Sequence, residues 1–115
     1  MKRTTLLIFG LALYSGLLYS QQKELKVLFV GNSYTYGYNL AHIVSIISAE
    51  TSTRLITRKS VLPGASLGEH WNGGRALETK KIIAEGEFDI VVLQDYSMTP
   101  IQVPDSTLKY VKLFT

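Results

Sequence analysis

Apolar runs alternate with stretches of helical periodicity from residue 25 onward, and this alternation constrains the fold more than any other feature of the chain. Leu25 to Val30 reads as a buried strand. Asn39 is placed to cap a helix in which Leu40, Ile43, Val44, Ile46 and Ile47 recur at helical spacing, running to about Glu50. Arg54 to Leu62 alternates and is rich in branched residues, which predicts a second strand. After the loop Pro63–Gly68, the segment Arg75 to Ala84 reads as a helix with Ala76, Leu77, Ile82 and Ile83 inward, ended by Gly86. Asp89 to Leu93 is apolar almost throughout and reads as a third, central strand. Beyond Pro100 and Pro104, Asp105 is placed to cap a last helix with Leu108 and Val111 on one face. The order β-α-β-α-β-(α) implies a parallel sheet with helices on both faces. Three strands with open edges, and a last helix without a stop signal, suggest the front part of a larger domain.

In a parallel sheet, the loops after the three strands emerge on one edge, where open α/β sheets bind ligands. They are Gly31-Asn32-Ser33-Tyr34-Thr35, Pro63-Gly64-Ala65-Ser66 and Gln94-Asp95-Tyr96-Ser97. Ser33 is placed to attack a carbonyl carbon. The backbone N–H groups of Ser33 and Gly64 could hold the oxyanion, with the Gln94 amide as a further donor. Each residue also has a plainer reading: Ser33 and Asn32 as turn or cap residues, Gly64 as a turn glycine, Gln94 as a strand-end residue. Tyr34, Tyr36 and Tyr38 either wall a ligand or cover the sheet edge. His42 reads as a structural histidine at the core edge. His70, six residues after Gly64, lies close to the active edge but is a poor general base, and Trp71 beside it shapes a pocket or simply packs.

Composition narrows the classes. With 46% hydrophobic and 18% charged residues, the 115-residue chain is that of an ordinary globular domain. The net charge of +3 owes two units to Lys2 and Arg3, leaving +1 beyond them and no dense basic stripe for nucleic acid. Residues 1–20 have the pattern of a secretory signal peptide. Lys2 and Arg3 precede an apolar stretch from Leu6 to Leu18, and Ser20 offers a small residue before polar Gln21-Gln22. Cleavage would leave a secreted or periplasmic protein without a stable membrane span. There is no cysteine, the two histidines supply no metal-ligand spacing, and no glycine-rich phosphate loop precedes a lysine. No metal and no cofactor are therefore expected.

The run Val30-Gly31-Asn32-Ser33-Tyr34-Thr35 resembles the first sequence block of the SGNH (GDSL-like) hydrolases. Pro63-Gly64-Ala65-Ser66-Leu67 with His70-Trp71 resembles the second block of the branch that carries Gly-Asn-Ser-Tyr/Phe-Thr. Phe88 to Ser97 with Pro100 resembles the third, with its Leu-Gln-x-x-Ser pattern. The resemblance spans residues 26 to about 104. It implies a flavodoxin-like three-layer α/β/α fold with a parallel sheet, and a metal-free serine esterase. Its substrate would be a small-molecule or carbohydrate ester, such as an acetylated sugar. It implies Ser33 as nucleophile and Gly64 in the oxyanion hole, with Asn32, Tyr34, His70 and Ser97 lining the substrate site.

Two departures accompany it. The asparagine usual in the third block is absent from Tyr96-Ser97-Met98-Thr99, leaving Gln94 as its stand-in and Ser97 as the next choice. The late Asp-x-x-His block that supplies the general base is also missing, for Asp105-Ser106-Thr107-Leu108 has no histidine. The expectation is therefore residues 21–115 as the N-terminal part of such a domain, with little turnover alone. The alternative is a non-catalytic carbohydrate- or ligand-binding module on the same fold. A nucleotide-binding flavodoxin-like domain is disfavoured by the missing phosphate loop.

Overall fold

The computed structural model describes residues 21–115; the signal-peptide reading falls on residues 1–20, outside the described residues. The chain builds an open parallel sheet from β1 (Lys23–Gly31), β2 (Thr53–Val61) and β3 (Ile90–Leu93). Between β1 and β2 lie α1 (Ser33–Gly37) and α2 (Leu40–Ser48). Between β2 and β3 lie α3 (Leu67–Asn72), a single 3₁₀ turn and α4 (Thr79–Gly86). The short α5 (Thr99–Gln102) and α6 (Pro104–Phe114) follow. The architecture is α/β with an open parallel sheet flanked by helices, as the alternation predicts, and it is compatible with part of a flavodoxin-like fold.

The strand order is β2-β1-β3, so the central strand is β1 and not β3. The burial agrees: Val27, Leu28, Phe29 and Val30 are all buried, whereas Ile90 and Val92 are about 40% exposed. Continuous apolar sequence marks a strand covered on both faces, and β1 meets that condition over more of its length. Because β2 and β3 flank β1 on opposite sides, crossovers of one hand place their helices on opposite faces. Val27 and Phe29 pack with Ala41 and Val44 of α2 and with Leu55. On the other face, Leu28 and Val30 pack with Leu67, Ile82, Ile83, Val91, Val111 and Phe114.

Several local expectations are corrected. Asn39 adopts a left-handed conformation (φ 48°) before α2 and makes no side-chain cap; its Oδ1 accepts from Lys59 Nζ instead (3.2 Å). The second helix begins at Thr79, not Arg75, because Arg75 and Ala76 take positive φ values of 49° and 62° just after Gly73-Gly74. Ala76 is consequently exposed. The left-handed residue after α4 is Glu87 (φ 47°), with Gly86 still helical. Asp105 lies in the first turn of α6 and does not cap it. Leu108 is 55% exposed, whereas Tyr110, Val111 and Phe114 face the core. Among the described residues, no helix is long and apolar enough to cross a membrane.

Candidate functional site

The carboxyl end of β1 is the point where the chain leaves for β2 on one side and later returns as β3 on the other. Such a switch point opens a crevice between the loops. Gly31 closes β1 in a crowded place: a Cβ would stand 2.6 Å from Thr35 Oγ1 and 2.7 Å from Gln94 Oε1, so those side chains would have to shift. Asn32 then caps α1, its Oδ1 accepting from Tyr34 N–H (3.3 Å) while its carbonyl accepts from the Thr35 and Tyr36 amides. Ser33 is the first residue of α1 and is exposed, and its own N–H is not among the amides spent on Asn32.

The three strand-end loops do converge. Asn32 Nδ2 donates to Ala65 O (3.2 Å) and to Asp95 O (3.1 Å), joining the first loop to the second and third. Gln94 Oε1 accepts from Asn32 N–H (3.0 Å) and from the Thr35 hydroxyl (3.1 Å), and its Nε2 donates to Asp95 O (2.7 Å). The Gln94 carbonyl end is thus committed to holding the Ser33 turn in place. Gly64 follows Pro63 in a turn closed by Ala65 N–H donating to Leu62 O (3.0 Å). Its φ of +68° is the value the third position of a type II turn requires, and the space around it is open.

Two residues expected to line the site lie in the interior instead. Asn32 is 1% exposed, with both ends of its amide engaged. His70 is fully buried: its Nε2 lies 2.9 Å from Gly31 O and its Nδ1 2.7 Å from Thr79 Oγ1. A carbonyl only accepts, so Nε2 carries the proton and Nδ1 accepts from the Thr79 hydroxyl. Thr79 in turn accepts from Ser60 Oγ (2.8 Å), and every polar atom of the chain Ser60–Thr79–His70–Gly31 is paired in one direction. Burial pushes the His70 pKa down, partly offset by its bond to Gly31 and by the charges of Glu69 and Asp95. His70 therefore stays neutral and braces the end of β1 from below.

Tyr34 and Ser97 are exposed at the loop edge, as are Tyr36 and Tyr38; these tyrosines do not cover the core. Trp71 packs edge-to-face on Phe114 (centroids 5.1 Å apart), with Lys80 Nζ 4.9 Å from its ring centroid. His42 is exposed on α2 and so is not a core-edge histidine.

Sequence reasoning missed Asp95, Thr35 and Thr79. Asp95 Oδ1 accepts from the amides of Leu67 (2.9 Å) and Tyr96 (2.8 Å), and Oδ2 accepts from the Thr107 hydroxyl (2.6 Å). It thereby ties the third loop to α3 and α6. Asp95 directly follows Gln94 at a strand end, where a carboxylate meets free helix N–H groups, and that adjacency was the available signal. Glu69 completes a capping box with Ser66 and pairs with Arg75 Nε (2.7 Å). Its carboxyl is held below the usual range by the Ser66 N–H and then by Arg75. Arg75 Nη1 donates to Pro63 O (3.0 Å), so the Gly64 turn is also anchored from the 3₁₀ turn after α3. A cavity of about 380 Å³ opens between α3 and the α5–α6 segment, bordered by Ser66, Glu69, Asp95, Ser106 and Tyr110. Among the described residues, no cluster of three or more His, Cys, Asp or Glu side chains is placed to hold a metal ion.

No family model matches the chain, and neither a curated protein nor a solved structure matches it.

Proposed function

We propose that the chain carries the nucleophile and oxyanion-hole portion of an exported SGNH-type serine esterase, acting on small-molecule or carbohydrate esters. The observation that carries this reading is the exposed Ser33 at the switch point, on a turn held from β3 by Gln94 and from the second loop through Asn32. Ser33 Oγ would attack the ester carbonyl carbon while an imidazole takes its proton. The imidazolium would return that proton to the departing alkoxide, and water, deprotonated by the same imidazole, would then hydrolyse the acyl-enzyme and restore the serine hydroxyl. Each backbone donor, Ser33 N–H and Gly64 N–H, would lower the barrier by about 3 kcal/mol.

His70 is not that imidazole, since both its nitrogens are spent in the interior. This same fact favours a second reading, a non-catalytic carbohydrate- or ligand-binding module on the same scaffold. Secretion, and the lack of a nucleic-acid partner, belong to the proposal on the strength of the leader pattern and the near-neutral charge.

Covalent trapping separates the two readings. The chain is treated with an alkyl fluorophosphonate, with free imidazole supplied as base, and the adduct is mapped by mass spectrometry. The esterase reading predicts modification at Ser33 that Ser33→Ala abolishes. Saturable binding of an acetylated oligosaccharide with no adduct at Ser33 would overturn it in favour of the binding module.

A further inference from the structure

The Gly64 turn is pinned at both ends, and its middle peptide is held by a single side chain. Leu62 N–H donates to Gly31 O (3.2 Å), Ala65 N–H donates to Leu62 O (3.0 Å), and Ala65 O accepts from Asn32 Nδ2 (3.2 Å). The Pro63–Gly64 peptide between them has one partner among the described residues, Arg75 Nη1, which donates to Pro63 O at 3.0 Å. Its N–H, that of Gly64, has no partner there. We propose that Arg75 is a positioning residue, locking this peptide in the orientation that presents the Gly64 N–H as an oxyanion donor; the catalytic consequence rests on the esterase reading.

Type I and type II turns share their end residues and differ by turning the middle peptide over. Type II needs a positive φ at the third position, which most residues resist. Glycine accepts either form, so the Gly64 φ of +68° is not set by Gly64 itself. A trans peptide is planar, with its C=O and N–H pointing in opposite directions. A grip on Pro63 O therefore fixes where the Gly64 N–H points. A cationic donor on that oxygen also polarises the amide and strengthens the N–H as a donor. Arg75 is itself set in place. Its backbone and that of Ala76 are left-handed (φ 49° and 62°), a conformation that persists in residues with side chains only where surrounding contacts over-determine it. Arg75 Nε pairs with Glu69 Oε1 (2.7 Å), and Glu69 Oε2 accepts from the Ser66 N–H (2.9 Å), so the guanidinium is oriented from α3. A half-exposed ion pair contributes little by itself and has no need of a carbonyl; the bond to Pro63 O is what gives this one a target.

The test compares the full chain with its Arg75→Ala variant by two readouts. The first is the amide spectrum. In Arg75→Ala the Gly64 resonance should shift, broaden or split as the peptide samples both orientations, while that of Asn32 stays as in the wild type. The second is the rate at which an alkyl fluorophosphonate, with free imidazole as base, labels Ser33. Arg75→Ala should slow the covalent step about tenfold to a hundredfold, the effect of releasing one charge-assisted hydrogen bond, and leave reversible binding of the reagent unchanged. Gly64→Ala, which disfavours the positive φ, should slow labelling as well, and Arg75→Ala should then slow it no further. A Gly64 resonance unaltered in Arg75→Ala, an unchanged labelling rate, or losses that add in the double variant would overturn the proposal. A Gly64 resonance that responds to Arg75→Ala in a chain whose Ser33 is never labelled would instead overturn the esterase reading and leave the peptide lock standing.

Discussion

At the residue scale, the site depends on groups whose hydrogen-bonding capacity is fully used. Gln94 is the clearest case. It reads from the sequence as an extra oxyanion donor, but its oxygen accepts from Asn32 N–H and Thr35 Oγ1 and so positions the turn that presents Ser33. Gln94→Ala should cost about 1–3 kcal/mol, because it leaves the buried Asn32 N–H without a partner, and urea unfolding checks this. Gly31→Ala should be at least as damaging, since its methyl would meet both Thr35 and Gln94, and its midpoint in the same assay should fall well below wild type. His70 gives the pH dependence. Its folded pKa lies below the ordinary 6.5, so the unfolded chain takes up its proton first. The stability that neutral His70 confers is whole above about pH 6.5 and is lost as pH falls from there toward the depressed value, at no more than about 1.4 kcal/mol per pH unit. Glu69, also depressed, adds its own loss only as pH falls below its ordinary 4.5. Unfolding free energies between pH 7 and 5 should therefore decline in the wild type and flatten in His70→Gln; an equal slope in both would remove His70 as the cause.

At the element scale, the alternation of strands and helices was legible because β1 and β3 are short apolar runs, β2 alternates with branched residues, and stretches of helical spacing separate them. The sheet order was not. Asp89 to Leu93 and Leu25 to Val30 are equally apolar, and only the packing of α2 and α6 on either face of β1 decides which strand is central. The start of α4 was misjudged for a different reason. Arg75 has good helix propensity, but Gly73-Gly74 lets the chain turn left-handed, and from there the guanidinium meets Glu69 and Pro63 O. The candidate site was legible to the extent that its residues lie directly after strands: Ser33, Gly64 and Gln94 were found this way. The burial of Asn32 and His70 could not be read, because it depends on tertiary partners 33 and 39 positions away, Ala65 for Asn32 and Gly31 for His70. Asp95 acts at this scale, as a clasp between elements. Asp95→Ala would strand the Leu67 and Tyr96 amides and the Thr107 hydroxyl, and should cost about 3 kcal/mol while loosening α6. Faster proteolysis within residues 99–115 in that variant, with β1 still protected, is the expected readout.

At the scale of the whole molecule, the two faces of the sheet are unequally covered. Leu67, Ile82, Ile83, Val111 and Phe114 shield one face. On the α2 face, Ile90, Val92 and Ile43 remain about 40% exposed, and Ile46 and Ile47 are more exposed still. Stability therefore concentrates at β1. Leu28→Ala, at a fully buried position, should cost about 2–5 kcal/mol, whereas Ile47→Lys should change stability by less than about 0.5 kcal/mol. Comparable losses in both variants would show that α2 is packed more deeply than its exposure indicates. Three strand-end loops converge at the end of β1, where the Asn32 amide is clamped and the Ser33 amide has no partner among the described residues. Residue-resolved amide hydrogen exchange tests that most directly. The Asn32 N–H, bonded to Gln94 Oε1, should exchange slowly, and the adjacent Ser33 N–H, left open at the start of α1, should exchange orders of magnitude faster. Exchange of the Asn32 amide as fast as that of Ser33 would contradict the clamp, and with it the assignment of this edge as the site.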